Sequence, residues 1–466
     1  MKRKRFTLTS LPVTSYAAEG KALARIEGKV IFIEGAVPGD VVDVLITKNK
    51  KDWAEGRAVR FEKYSDERVT PFCMHFGVCG GCKWQMLPYH KQLEYKQQEV
   101  EQNLKRISKT ELPPINPIIG SEATTHYRNK LEFTFSNRKY LSQEEIKTDV
   151  EIPKQNALGY HVPRIFDKII DIQECFLMDE VNNDVRNTTR AYAIANEYEY
   201  YDIKEHTGFL RNIILRYCST GELMVNLVVA RDDQPEIKKI ADHLLSSVPK
   251  ITTLLYTINT KWNDSIHDLD PIVISGNGYV MEKLGKYDFK ISPKSFFQTN
   301  TKQAEQLYTV AKEFAGLTGS EIVYDLYCGT GSIGIFVSEG ASKIIGIEVI
   351  AQAIEDAKQN AAINNVSHSQ FFTGDVVDLC NDAFFSEHGH PDVVITDPPR
   401  AGMHEKLVKK LIEISAPKIV YVSCNVATQA RDISLLSEKY RVSRIQPVDM
   451  FPHTHHIECV ALLELK

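Results

Sequence analysis

Two stretches near the carboxyl terminus carry residues able to do covalent chemistry. In "YVSCNVATQARD", Cys424 follows the apolar run Ile419-Val420-Tyr421-Val422, which reads as a buried strand, and precedes a helical pattern. In "HTHHIECVALLELK", Glu458 stands just ahead of an apolar run, Cys459 to Leu463, that reads as the final strand. A thiol at a strand-to-helix junction is open to a substrate, whereas a core cysteine is a small hydrophobe. A third stretch, "VVITDPPRAG", ends a strand in Asp397 and continues with Pro398-Pro399-Arg400. Two prolines give a stiff, extended backbone at the carboxyl end of a strand, where ligands of open α/β sheets bind.

One cysteine and one carboxylate beside a methyl donor suit a particular reaction. Carbon 5 of uracil is a poor nucleophile. Addition of a thiolate to carbon 6 makes an enolate whose carbon 5 takes a methyl group from a sulfonium. A base then removes the carbon 5 proton, and the thiolate leaves by β-elimination. Cys424 and Glu458 are the candidates for these two roles. Amino-directed DNA methyltransferases carry a related Asp/Asn-Pro-Pro followed by an aromatic residue, and their chemistry needs no protein nucleophile. Here Arg400 occupies that fourth position.

The donor has its own candidates. "VYDLYCGTGSIGIF" sets Gly329, Gly331 and Gly334 in a G-x-G-x-x-G array between a strand and a helix. The next strand, "KIIGIEVI", ends in Glu348, nineteen residues after Gly329, where a carboxylate can accept both ribose hydroxyls. "FTGDVVDL" supplies Asp375, either a partner for the adenine amino group or a loop cap. This array suits NAD as well as S-adenosylmethionine; the Asp397-Pro-Pro device favours the latter.

These residues need a sheet edge to gather them. From about residue 290, helical stretches (301–315, 350–363, 404–415, 427–439) alternate with buried strands (321–327, 343–348, 392–396, 418–422), which predicts a parallel α/β sheet. Upstream, residues 22–63 alternate in short runs and predict a small β-barrel of the oligonucleotide-binding kind, with Lys48, Lys50 and Lys51 on a loop. A helix over 88–107 should bury Leu93, Val100 and Leu104. Residues 127–176 and 207–230 read as strands, with a hairpin at Ser219-Thr220-Gly221.

The chain has 466 residues, too many for one core. Its net charge of −5 is uneven, with 14 Lys and Arg against 10 Asp and Glu in residues 1–70. A basic amino-terminal module can direct phosphate contacts to one face. No apolar run is long enough to span a bilayer and no secretory leader is evident, so no membrane association and a cytoplasmic address are expected. Nine cysteines in a reducing compartment are not read as a disulfide framework. Cys73, Cys79 and Cys82 form a C-x5-C-x2-C set that needs a distant fourth ligand, and the spacing allows zinc or an iron–sulfur cluster. Cys218, Cys328, Cys380 and Cys459 are expected in the core or in loops.

"DPPRAG", "YVSCNVATQARD" and "FPHTHHIECVALL" resemble the motifs of the RNA uracil-5 methyltransferases that make 5-methyluridine in ribosomal or transfer RNA. The resemblance runs over nearly the whole chain. "FIEGAVPGD" is similar to the family's TRAM barrel, "HYRNKLEF" and "LGYHVPRIFDKIIDIQECFL" to its central domain, and "ISPKSFFQTN" to the segment leading to the donor. It implies Cys424 as nucleophile, Glu458 as base, and Gln298, Tyr327, Glu348 and Asp397 around S-adenosylmethionine. It also implies a [4Fe-4S] cluster on Cys73, Cys79, Cys82 and Cys175. The implied architecture is a TRAM-like, OB-like barrel (1–68), a mixed, β-rich central domain with the cysteines (69–289) and a Rossmann-like methyltransferase domain (290–466).

A monomer acting on RNA is expected, with 23S ribosomal RNA favoured by the barrel plus cysteine set. Transfer RNA, an amino-directed reaction and a non-catalytic RNA-binding role are the alternatives. Phe296 or Phe297 could stack on a splayed base, and Tyr127, Arg128 and Lys130 could hold phosphates. The family has proline after Ser-Cys-Asn; here it is Val426, which alters the turn but removes no reacting group.

Overall fold

The structure, a computed structural model, describes residues 6–141, 145 and 155–466. Among these, the strands form a six-stranded sheet, two seven-stranded sheets and a two-stranded hairpin.

The amino-terminal sheet holds the strands Thr7–Pro12, Ser15–Ala17, Lys21–Ile26, Lys29–Glu34, Val41–Asn49 and Trp53–Lys63. Every second residue points inward, as the pleat requires: Ala22 and Ala24, Ile31 and Ile33, then Val42, Val44 and Ile46 form the core. Register breaks between Val41–Asn49 and Trp53–Lys63 bend the sheet over that core. Lys48 lies within a strand, not on a loop, with its ammonium 4.6 Å from the Trp53 ring.

The helix Tyr89–Ile107 buries Val100 and Leu104, as expected, but Leu93 is only half-buried. Gln92 and Lys96 are also buried, and both bond to a loop far away in sequence. Apolar periodicity alone could not find them. The central seven-stranded sheet is mixed, and the hairpin at 218–222 joins Leu210–Tyr217 to Leu223–Val229. Two helices not read from sequence, Val181–Ala195 and Gln234–Ser247, pack beside it. The first escapes because its buried face contains Asn182, Asn183, Arg186 and Thr189.

The carboxyl-terminal sheet comprises β1 (Ile322–Leu326), β2 (Lys343–Glu348), β3 (Ser369–Thr373), β4 (Val393–Thr396), β5 (Lys418–Ser423), β6 (Tyr440–Val448) and β7 (Glu458–Leu465). Their spatial order is β3-β2-β1-β4-β5-β7-β6. The first five strands pair in parallel, and β7 runs antiparallel to both β5 and β6. Strand residues alternate between two cores: Val420, Val422, Val460 and Leu462 face one, while Ile419, Tyr421, Ala461 and Leu463 face the other. The helix Thr301–Ala315 covers the first core with Ala304, Leu307, Ala311 and Phe314, and each large side chain so buried contributes roughly 1.5–3 kcal/mol. Asn300 caps its start and Gly316, at φ +57°, ends it. Helices Glu405–Ile414 and Val426–Leu436 cover the second core. The hairpin Val280–Leu284/Tyr287–Ile291 packs into the first core as well.

Candidate active site

Strand polarity brings the reacting candidates together. Thr396 of β4 lies beside Tyr421 of β5, and Ser423 of β5 pairs with Cys459 of β7. Cys424, the residue after β5, and Glu458, the first residue of β7, are therefore neighbours at one sheet edge. Asp397 leaves β4 at that same edge.

Their charges act on one another. Glu458 is only 5% exposed, and its Oε2 has no hydrogen-bond partner among the described residues. Burial, then the Asp397 charge, pushes the Glu458 carboxyl well above the usual range, and Arg400 opposes this. Burial raises Asp397 to about 7. The Cys424 thiol is pushed up to about 11, first by burial, then by Glu458 and Asp397, against the pull of Arg400. Two carboxyls and a thiol in a space of low dielectric cannot all ionise at once, so the three groups hold on to their protons.

The turn carrying Cys424 is tightly held. Asn425 caps the helix Val426–Leu436 through Ala427 N at 3.1 Å, and its Nδ2 donates to the Arg400 carbonyl at 3.0 Å. Asp432 Oδ2 accepts from Met403 N at 2.9 Å and from Tyr421 Oη at 2.7 Å, which ties the Pro-Pro-Arg loop to β5. The Arg400 guanidinium reaches His456 Nδ1, two residues before Glu458. Val426 is the first residue of the helix and is buried. Its N–H has no intrahelical role at that position, so proline there would cost no helix hydrogen bond.

A second cleft of about 320 Å³ opens beside this edge, lined by Tyr327, Glu348, Val349, Asp375, His404 and Leu407 among others. Gly329 (φ +53°), Gly331 (φ +76°) and Tyr327 (φ +60°) form the turn after β1 in left-handed conformations. Glu348 Oε2 accepts from Gly329 N at 3.3 Å, and its Oε1 from Ile350 N at 3.1 Å. Asp375 is both a cap, accepting from Val377 N at 2.8 Å, and part of the cleft wall. Gln298 is not part of this wall; it is 9% exposed, and its carbonyl accepts from Asn129 Nδ2 at 2.9 Å. Asp325 was not anticipated. Its Oδ2 accepts from Gly334 N at 2.8 Å, its Oδ1 is buried without a partner, and burial raises it to about 7.

Cys73, Cys79, Cys82 and Cys175 line one pocket with Phe72, Phe76 and Tyr160. Burial raises Cys79 to about 11 and Cys82 to about 12, and the neighbouring thiols add to both. Gly81 N donates to Cys79 Sγ at 3.4 Å. Cys175 is clasped by the polar face of helix Val181–Ala195: its N–H donates to Asn183 Oδ1 at 2.9 Å and its carbonyl accepts from Asn182 Nδ2 at 3.1 Å. Among the described residues no group of three or more His, Cys, Asp or Glu is arranged to hold a metal ion. Cys218, Cys328, Cys380 and Cys459 are buried.

Comparison with known proteins gives this geometry a context. The family model described as tRNA (Uracil-5-)-methyltransferase matches residues 215–466, and the TRAM domain model matches residues 10–59. A Bacteroides thetaiotaomicron protein named an uncharacterized RNA methyltransferase is 52% identical over 97% of this chain and 100% of its own length. One from Porphyromonas gingivalis with the same name is 47% identical over 97% and 99%. This chain belongs to the tRNA (uracil-5-)-methyltransferase family. It is an RNA methyltransferase with a TRAM domain. The solved structure of Pyrococcus abyssi tRNA (uracil-54, C5)-methyltransferase with S-adenosyl-L-homocysteine superposes with a TM-score of 0.75 at 27% identity, over 98% of this chain and 100% of that one.

Several residues expected at an RNA surface of this methyltransferase are committed elsewhere. Phe297 is buried against Phe289, whereas Phe296 is 70% exposed and free to stack. Tyr127 is buried with its hydroxyl on the Pro452 carbonyl at 2.9 Å, so it anchors a loop and offers no phosphate contact. Arg128 sits over the Phe451 ring at 5.3 Å, and burial lowers the Lys130 ammonium. No helix among the described residues is long and apolar enough to cross a membrane.

Proposed function

We propose that this chain methylates carbon 5 of a uridine in RNA, with Cys424 as nucleophile and Glu458 as base. The observation that carries this reading is the meeting of Cys424 and Glu458 at the adjoining ends of β5 and β7, beside Asp397. The cleft beneath Tyr327, Glu348 and Asp375, with the glycine turn of Gly329 and Gly331, fits an adenosine-bearing donor. Glu348 and Asp375 are suited to the ribose hydroxyls and the adenine amino group, and Asp397 to the sulfonium end; Gln298 would complete the site from the segment before helix Thr301–Ala315. S-adenosylmethionine, when bound, supplies the methyl group and a positive charge.

The remaining steps belong to this chain's own residues. Asp397 and Glu458 lose protons more readily beside a cation, and so does Cys424. The Cys424 thiolate adds to carbon 6, and the ring electrons move to carbon 5. Once carbon 5 is methylated, Glu458 takes its proton, the carbon 5–hydrogen pair restores the double bond, and the carbon 6–sulfur bond breaks to regenerate the thiolate. Arg400 draws both groups toward their charged forms. Phe296 would stack on the flipped base.

The four cysteines are assigned to a [4Fe-4S] cluster. The four thiols share the lining of one pocket, and in such a cluster each thiolate would meet a different iron. The cluster would be structural, since neither thiolate addition nor methyl transfer consumes an electron. The TRAM barrel joined to this cysteine set resembles the ribosomal group, which supports ribosomal RNA as the target, and the address is taken as cytoplasmic. The overlay on a transfer RNA enzyme favours the second reading, uridine in transfer RNA. Mass-spectrometric mapping of 5-methyluridine in both RNA classes from a deletion strain distinguishes them: loss of 5-methyluridine from ribosomal RNA is expected, and retention of every 5-methyluridine contradicts the proposal.

A further inference from the structure

The loop Asp449 to Ile457, which delivers Glu458 into β7, has no regular structure, yet none of its residues is exposed and most are buried: Asp449 and Met450 are 0% exposed, and His453 is 7% exposed. A buried loop leaves backbone groups without water, so each needs a partner. Distant side chains provide them in succession. The Asp449 carbonyl accepts from Gln303 Nε2 at 2.8 Å and that of Met450 from Asn300 Nδ2 at 2.9 Å. Lys96 Nζ donates to the Phe451 carbonyl at 3.2 Å, and Gln92 Oε1 accepts from His453 N at 2.8 Å. The amino-terminal helix, the central domain through Tyr127, and the methyltransferase domain thus converge on the segment just before the base.

One interaction in this hub is charged. Lys96 Nζ lies 2.6 Å from Asp449 Oδ1, and both side chains are 0% exposed. Asp449 Oδ1 also accepts from Phe451 N at 3.0 Å, and its Oδ2 from Tyr89 Oη at 2.8 Å. A buried ion pair gains little stability over apolar residues of similar size, because desolvation offsets the attraction. Its directional bonds, however, fix a loop where apolar contacts would let it slide.

We propose that Lys96 and Asp449 are positioning residues for the Glu458 carboxylate, holding the loop so that the base faces the carbon 5 proton after methyl transfer. This rests on the function proposed above. Misplacing the base leaves thiolate addition and methyl transfer possible but slows elimination, so enzyme and RNA remain joined through Cys424 and carbon 6. A purely structural pair produces no such trapped species.

The test uses the full-length double variant Lys96→Met/Asp449→Leu, bulk RNA from a deletion strain and radiolabelled S-adenosylmethionine. A folded protein is expected, with turnover reduced at least tenfold and a labelled protein–RNA adduct that survives denaturing electrophoresis. Wild-type turnover, or lost turnover without adduct, overturns the proposal. Tyr89→Phe, which removes one bond to Asp449 and keeps the pair, is expected to give the same adduct at lower yield. If the double variant fails to fold and Tyr89→Phe gives no adduct, the proposal is likewise overturned. No methyl transfer by the wild-type protein defeats the functional reading itself, whereas an active wild type with a fully active double variant defeats only the positioning role.

Discussion

Glu458→Gln separates the two halves of the proposed reaction. Glutamine preserves the volume of a side chain that is 5% exposed, and the Oε2 it alters has no hydrogen bond to lose. The substitution removes the proton acceptor, and a positioned base is worth about 10²–10⁴-fold in rate, or roughly 2.7–5.5 kcal/mol of barrier. After burial, the ionised form of Glu458 is what raises the Cys424 thiol most, and glutamine never carries that charge, so addition becomes easier. Elimination is blocked while addition is favoured, and a methylated covalent RNA adduct should accumulate within one turnover. Denaturing gels with RNA and radiolabelled donor read it directly. Stability supplies an independent check. An acid whose folded-state value is raised loses stability as pH climbs above its unfolded value, at about 1.4 kcal/mol per unit crossed. Direction fixes the sign: Glu458→Gln should flatten the fall in melting temperature from acid toward neutral pH. Near-normal turnover, or inactivity without adduct, refutes this reasoning.

Other outcomes follow from the same geometry. Alkylation of Cys424 by iodoacetamide in the free protein should accelerate about tenfold per pH unit from 7 toward 10, because only the thiolate reacts and its proton is held up to about 11; a plateau below pH 9 contradicts this. Gly402→Ala places a methyl group 2.7 Å from Arg431 Nη2 and 2.8 Å from Asp432 Oδ2 at φ +76°, so a loss of about 1–3 kcal/mol is expected in chemical denaturation. Val426→Pro should leave the melting temperature within about 2 °C of wild type, since the first helical position tolerates proline. Anaerobic preparations should contain about four iron and four labile sulfide per chain, both lost in Cys175→Ser; stoichiometric zinc without sulfide contradicts the cluster.

The carboxyl-terminal half was the most legible in sequence. Its apolar runs are buried on both faces and its helices carry clear caps such as Asn300 and Asn425, so local pattern and fold agree. Cys424 and Glu458 were paired by the chemistry and the family resemblance, whereas a wholly parallel sheet would have set a strand end and a strand start at opposite edges; the antiparallel β7 is what brings them together. What periodicity missed is polar. Gln92 and Lys96 occupy core positions of helix Tyr89–Ile107, and Asn182, Asn183 and Arg186 do so in helix Val181–Ala195, because each satisfies a buried loop rather than filling volume. Adjacent aromatics were ambiguous for a different reason: whether Phe296 or Phe297 faces solvent depends on the turn before Asn300, which no short pattern encodes. Tyr127 is committed to a carbonyl 325 residues away, a contact invisible until the chain is folded.

The claim on which the chemistry depends is a sulfur–carbon 6 bond made by Cys424. RNA carrying 5-fluorouridine offers no removable proton at carbon 5, so the wild-type protein with S-adenosylmethionine should stop at the adduct. Tryptic digestion and mass spectrometry of nuclease-treated adduct is expected to find a methylated fluorouridine nucleotide on the peptide 419–431, which contains Cys424. A nucleotide attached to any other peptide, or methyl transfer that proceeds with no attachment at all, contradicts the account.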